Sequence, residues 1–207
     1  MASIPRLSLS LFLIIFTIAN NKYPLPVDGD PIDSVCQKTP KAFQRYCYMC
    51  FFSRPGSGSA DLPTQASILI NCSLVEAVRV QELRYNFCAL HKNDTVTLPC
   101  VGCNGCFEII TNDLSSALQD MGTKNFRDSE TKVSDAITNH QHCADLLAMS
   151  KYPIPYTLGD ALGIFRGFAE VSASVVTRLI ISFYAFSMSN SMNKRNNIRV
   201  MQIGSCW

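Results

Sequence analysis

The stretch from Cys106 to Cys143 constrains the fold most, because it reads as two amphipathic helices in succession with a cysteine near each outer end. Phe107, Ile110, Leu114, Ala117, Leu118 and Met121 recur at intervals of three and four, leaving Glu108, Asn112, Ser115 and Gln119 on other faces. Gly122 to Arg127 break that pattern. Asp128 or Ser129 is then placed to cap a second helix carrying Val133, Ala136, Ile137, Ala144 and Leu147. So short a connection sets the helices antiparallel, with the start of one beside the end of the other. Cys106 and Cys143 are therefore expected to pair as a disulfide.

Such a bridge needs an oxidising compartment, and the N-terminus argues for one. Arg6 precedes an apolar run from Leu7 to Ile18 that is short for a bilayer span, and Thr17 and Ala19 are small enough to flank a cleavage site. Residues 1–19 are expected to be a secretory signal peptide. In a secreted chain, pairing is the default fate of the 10 cysteines. Two sequons fit that route, Asn71-Cys72-Ser73 and Asn93-Asp94-Thr95. Asn93, in a polar loop, is the better glycan acceptor; Asn71 lies in an apolar stretch. Setting aside Arg6 and the terminal Lys194, Arg195 and Arg199 leaves 14 basic residues against 16 acidic ones. The body is mildly acidic, without a nucleic-acid patch.

The remainder of the chain divides at its breakers. Asn20 to Pro31 holds three prolines and a glycine and is expected to be an extended lead-in. In Ile32 to Phe52, Cys36 and Cys47 bracket a short helical segment interrupted near Pro40, where a bridge would close a small loop. Ser53 to Ala60 reads as a loop, Gln65 to Leu90 as a long helix, and His91 to Val101, with Pro99, as a polar connection. Pro153 and Pro155 end the third helix. Thr157 and Asp160 then resemble a capping box for a fourth, which Leu158, Leu162, Phe165, Ala169, Val176 and Ile180 carry to about Phe186. Arg166, Glu170 and Arg178 argue against a membrane span there. Residues 187–207 read as a flexible basic tail. The expected fold is all-α, an up-and-down four-helix bundle over 32–186 with a small N-terminal appendage.

Candidate chemistry is sparse. His140 and His142 stand two apart on a helix, so they point in different directions and read as solvated helix-end residues. His91 sits in a polar loop, and no nucleophile elbow, phosphate loop or zinc-protease signature occurs. The spacing Cys100-x-x-Cys103-x-x-Cys106, with Cys47-x-x-Cys50 upstream, would suit zinc or an iron-sulfur cluster in a reducing compartment. After secretion it suits disulfides, so no metal or cofactor is expected, and a metal- or redox-active protein is the rival reading.

Cys36-Gln37-Lys38-Thr39-Pro40, Cys47, Cys106-Phe107-Glu108-Ile109, Val133-Ser134-Asp135-Ala136-Ile137-Thr138 and Cys143-Ala144-Asp145 resemble, in order, the plant invertase and pectin methylesterase inhibitor family, over Ile32 to about Ile181. The resemblance implies a secreted, non-enzymatic four-helix bundle with an N-terminal helical hairpin. It also implies disulfides Cys36 with Cys47 and Cys106 with Cys143. Invertase inhibitors of this family tend to carry Pro-Lys-Phe in the turn between the second and third bundle helices, where this chain has Thr123-Lys124-Asn125-Phe126. The resemblance thus points to pectin methylesterase in the cell wall as partner, its pectin-binding cleft occluded, with acid invertase as the alternative. Thr138 matches the family's threonine and is the first contact candidate. Lys132 and Asp135 fall roughly on its side of the helix, and Asn112 is added from the adjoining helix. The chain departs from the family's pattern at Val101-Gly102, at Ile110 and in the wider Cys36 to Cys47 spacing.

Overall fold

The computed structural model describes residues 31–91, 97–149 and 152–203. The expected signal peptide, nearly all of the lead-in, Asn93 and Cys206 lie outside the described residues. Within them are six α-helices and no strand: α1 (Pro31–Cys36), α2 (Gln44–Phe52), α3 (Leu62–Leu90), α4 (Thr97–Gly122), α5 (Phe126–Ala148) and α6 (Tyr156–Ile203). Helices α3 to α6 form the bundle, α3 packing on α4 and α6, and α5 packing on α4 and α6. That closed ring of antiparallel neighbours follows from short connections between helices with one apolar stripe each.

The helices begin earlier than their apolar patterns, because prolines are tolerated in a first turn whose N–H groups lack intrahelical partners. In α3 the Asp61 carboxylate accepts from Thr64 N–H at 3.0 Å, an N-cap with Pro63 inside the first turn. In α4 the helix starts at Thr97 and runs through Pro99. At its C-terminal end α6 is extended for a different reason. No proline or glycine interrupts the sequence between Gly167 and Gly204, and the helix continues to Ile203 instead of giving way to a tail at Ser187.

The N-terminal hairpin α1–α2 rests on the bundle through α2, which packs on α3 and α6. Cys36 is bonded to Cys47, with Cα atoms 5.5 Å apart, and Cys50 is bonded to Cys72, tying α2 to α3. Tyr46 is buried over Gly167 of α6, where any Cβ would collide with the tyrosine ring. Its ring meets Phe168 edge-on at 6.2 Å and carries the Arg45 guanidinium 4.5 Å from its centroid. Deep in the core, Ser73 and Ser172 meet at 3.1 Å across α3 and α6. Each also lies within donating distance of the carbonyl four residues before it, at Leu69 and Phe168, so whichever one donates across the contact, neither hydroxyl is orphaned. Ser73 is the third residue of the Asn71 sequon, and its wholly buried hydroxyl makes that sequon a poor surface site.

The expected Cys106–Cys143 bridge is not the one formed. Cys103 is bonded to Cys143, with Cα atoms 4.3 Å apart, and Cys106 is a buried free thiol. Cys103 and Cys106 share a face of α4 one turn apart, so periodicity could not separate them. The close approach falls at Gly102, where an added Cβ would lie 2.7 Å from Leu146 Cδ1. The missing side chain lets α4 and α5 come together there. Cys88 and Cys100 form a fourth bridge between the end of α3 and the start of α4.

The two predicted helix-end histidines differ. His142 is exposed, whereas His140 is 4 % exposed, its ring 5.1 Å from that of Phe165 and 6.4 Å from that of Phe107. A histidine in an apolar stripe is carried inward with it. The run Tyr156–Met188 of α6 is long and apolar enough to cross a bilayer by length and composition. Leu158, Ala161, Phe165, Ala169, Val175 and Val176 are nevertheless buried in the bundle. Charged groups within that run also make contacts inside the fold. Arg166 lies 3.8 Å from Glu170, and Arg178 donates to the Val35 carbonyl at 3.3 Å.

Candidate functional site

Helices α4 and α5 are joined by Thr123-Lys124-Asn125 alone, shorter than the break read from sequence. Lys124 stands in the left-handed region with φ 61°. Asn125 N–H returns to the Asp120 carbonyl at 2.8 Å and Lys124 N–H to that of Met121 at 3.2 Å. This is a Schellman closure with lysine where glycine is usual. It reverses the chain so quickly that α5 starts at Phe126. Asp128, expected as a cap, instead accepts from Asn125 Nδ2 at 2.5 Å.

That turn and the Cys103–Cys143 bridge hold the helix pair near both ends. Along the seam between them the structure brings together Asp113 and Asp120 of α4 with Lys132 and Asp135 of α5. Lys132 Nζ lies 2.7 Å from Asp120 Oδ2. The Asp113 carboxyl is held above its ordinary range, by burial first and then by the charge of Asp135, with Lys132 pulling the other way. Three carboxyl groups against one lysine leave the seam net acidic. Asp113 and Asp120 were not among the residues singled out from sequence. Their separation of seven, two turns of helix, is the signal that would have found them.

Thr138 is exposed on α5, its hydroxyl donating to the Ser134 carbonyl at 3.1 Å and so keeping its lone pairs for an outside donor. It stands in a stripe of exposed polar residues with Thr131, Ser134, Asp135, Gln141 and His142. Gln141 is steadied by Asp145, to which it donates at 2.8 Å. Asn112 is exposed one position from Asp113, about 100° around α4. The structure thus places Lys132 and Asp135 at the seam, Thr138 on the outer stripe beside them, and Asn112 at its edge. Among the described residues no group of three or more His, Cys, Asp or Glu side chains is arranged to hold a metal. Cys100 and Cys103, which the rival metal reading would use, are in disulfides.

The model of the plant invertase/pectin methylesterase inhibitor family matches residues 30–181. The chain belongs to that family. Its members are inhibitors of enzymes, so the partner class is an enzyme, pectin methylesterase or invertase. Among solved structures, a mutant form A of a pectin methylesterase inhibitor from Arabidopsis matches with TM-score 0.62 at 13% identity, covering 72% of this chain and 97% of its own. A pectin methylesterase inhibitor from Arabidopsis thaliana matches with TM-score 0.53 at 13% identity, covering 72% and 96%. At that identity the likeness is one of fold. No curated protein sequence matches the chain.

Proposed function

We propose that the protein inhibits pectin methylesterase by laying the outer face of α4 and α5 over the enzyme's substrate cleft. The observation that carries this reading is the exposed polar stripe Thr131, Ser134, Asp135, Thr138, Gln141 and His142 on a helix pinned to its neighbour at both ends. A pinned helix loses little freedom on docking, so its hydroxyl and amide groups can replace a sugar's hydrogen bonds at small entropic cost. Support for pectin methylesterase over invertase comes from the turn. It reads Thr123-Lys124-Asn125-Phe126 and so carries no Pro-Lys-Phe. Secretion into the cell wall is part of the proposal, supported by the apolar leader and by four disulfides that suit an oxidising compartment. Glycosylation at Asn93 is proposed on its sequon alone.

The test titrates the oxidised protein against purified pectin methylesterase and purified acid invertase under mildly acidic conditions. Stoichiometric loss of pectin methylesterase activity is expected. Loss of invertase activity with pectin methylesterase untouched would overturn the assignment of target.

A further inference from the structure

Half a turn around α4 from the acidic seam, a groove between α3 and α4 contains a buried cation that no carboxylate meets. Arg84 of α3 is 7 % exposed. Its guanidinium donates to Asn104 Oδ1 and, at a long 3.4 Å, to the Cys100 carbonyl. The buried Nε–H has no hydrogen-bond partner. No ion pair to Arg84 occurs among the described residues. The nearest compensating charge is Glu108, one residue removed, because Asn104 Nδ2 donates to Glu108 Oε1 at 2.6 Å. Buried guanidinium groups are ordinarily paired directly, since a charge withdrawn from water is stabilised only by a close counter-charge and filled donors.

Arg84 lines a cavity of about 370 Å³ with Asn104, Tyr85, Val101 and the Cys88–Cys100 bridge. That volume lies within the range of about 300–1,000 Å³ typical of small-ligand clefts. Tyr85 and Val101 are 64 % and 65 % exposed, apolar bodies left largely to solvent at the groove. The disulfide ties the two helices at this level, so the walls are fixed before anything binds.

We propose that this groove is a binding site for a small organic monocarboxylate, its carboxylate paired with the Arg84 guanidinium and its flat apolar body lying on Tyr85 and Val101. A planar carboxylate matches a planar guanidinium. A phosphate dianion fits less well, because Glu108 stands behind Asn104 and repels a second negative charge. The proposal is independent of the enzyme target, since the groove and the α4–α5 face lie on different sides of α4.

The experiment titrates the ¹⁵N-labelled, fully oxidised chain with benzoate, with benzamide as its uncharged shape match, and with inorganic phosphate, following amide and arginine side-chain resonances. Benzoate is expected to shift Arg84, Tyr85, Val101 and Asn104 in a saturable manner. Benzamide and phosphate should each bind at least about tenfold more weakly. Tyr85→Ala and Val101→Asp alter exposed positions without emptying the core, and each should weaken benzoate about tenfold with the remaining spectrum unchanged. Benzoate shifts that fail to saturate or fall elsewhere, benzamide binding as well as benzoate, or full binding to both variants would overturn the site. Phosphate binding more tightly than benzoate would overturn the carboxylate assignment.

Discussion

Burial of His140 ties one imidazole to the pH dependence of the whole bundle. Desolvation pushes its pKa down to about 4, against a hydrogen bond to the Leu162 backbone that raises it and with help from the nearby Arg166 charge. The folded state thus resists a proton that the unfolded chain accepts near pH 6.5. The contribution, about 3 kcal/mol, is intact above pH 6.5, declines as pH falls toward 4, and is lost once both states are protonated. Between pH 7 and pH 5 the expected loss is about 2 kcal/mol, read from urea unfolding midpoints. Glu76 and Asp113, whose carboxyl groups burial holds above their ordinary range, act oppositely, gaining stability as pH falls through their raised values. His140→Phe isolates the imidazole: that variant should lack the loss, and an unchanged pH slope would assign it to other groups. Gly167 makes a second prediction at this scale. Gly167→Ala drives a methyl into the Tyr46 ring and should cost about 1–3 kcal/mol in denaturant unfolding. Tyr46→Ala should cost less in that background than in the parent, a coupling that independent sites would not show. Neither residue was legible beforehand. The sequence places His140 on a helix and Gly167 in an apolar run, but which face turns inward, and what lies opposite, depends on the neighbouring helix.

At the level of helices, the decisive pairing is Cys103 with Cys143. On the chain-entropy model a loop of 40 residues is worth about 4 kcal/mol. Cys103→Ser should lose most of that, whereas Cys106→Ala, removing a buried but unbonded thiol, should lose about 1 kcal/mol. Thermal unfolding ranks the two variants, and alkylation of the denatured, unreduced protein should label Cys106 while leaving Cys103 linked to Cys143. The opposite ranking would put the bridge one turn along. Helical periodicity carried the hairpin and its antiparallel sense, because both follow from a local repeat and a short connection. It did not carry the choice between two cysteines on one face; the pairing falls at Cys103, beside the close approach of Leu146 to Gly102. The stripe on α5 makes the functional prediction of this scale. Thr138→Trp should weaken inhibition of pectin methylesterase at least about tenfold, or 1.4 kcal/mol, with the circular dichroism unchanged. Inhibition at the parent level would take Thr138 out of the contact face.

For the whole molecule, the division between sequence and structure follows the range of the forces involved. Apolar residues at three and four, prolines and short polar connections determined an all-α bundle with α3 to α6 in up-and-down order, because each signal acts within a few turns of one helix. Cysteine motifs and the Val133 to Thr138 segment were legible for the same reason: they are strings read in order, and the family match over residues 30–181 rests on them. Only the folded chain decided which groups meet across helices. Asp113 and Asp120 join Lys132 and Asp135 at a seam. Arg84 is buried with no direct counter-charge although its own segment offers no hint of it. Helix α6 is at once a core helix, through Leu158 to Val176, and an exposed apolar rod from Ile181 to Met188. Its local composition scarcely changes between those halves; what changes is whether the bundle extends far enough to cover it. Sequence by itself determined the elements and their order, since propensity and periodicity are properties of a single helix. The tertiary structure decided partners, burial and charge balance, since a side chain's environment is set by residues that are distant in the chain and adjacent only once it has packed.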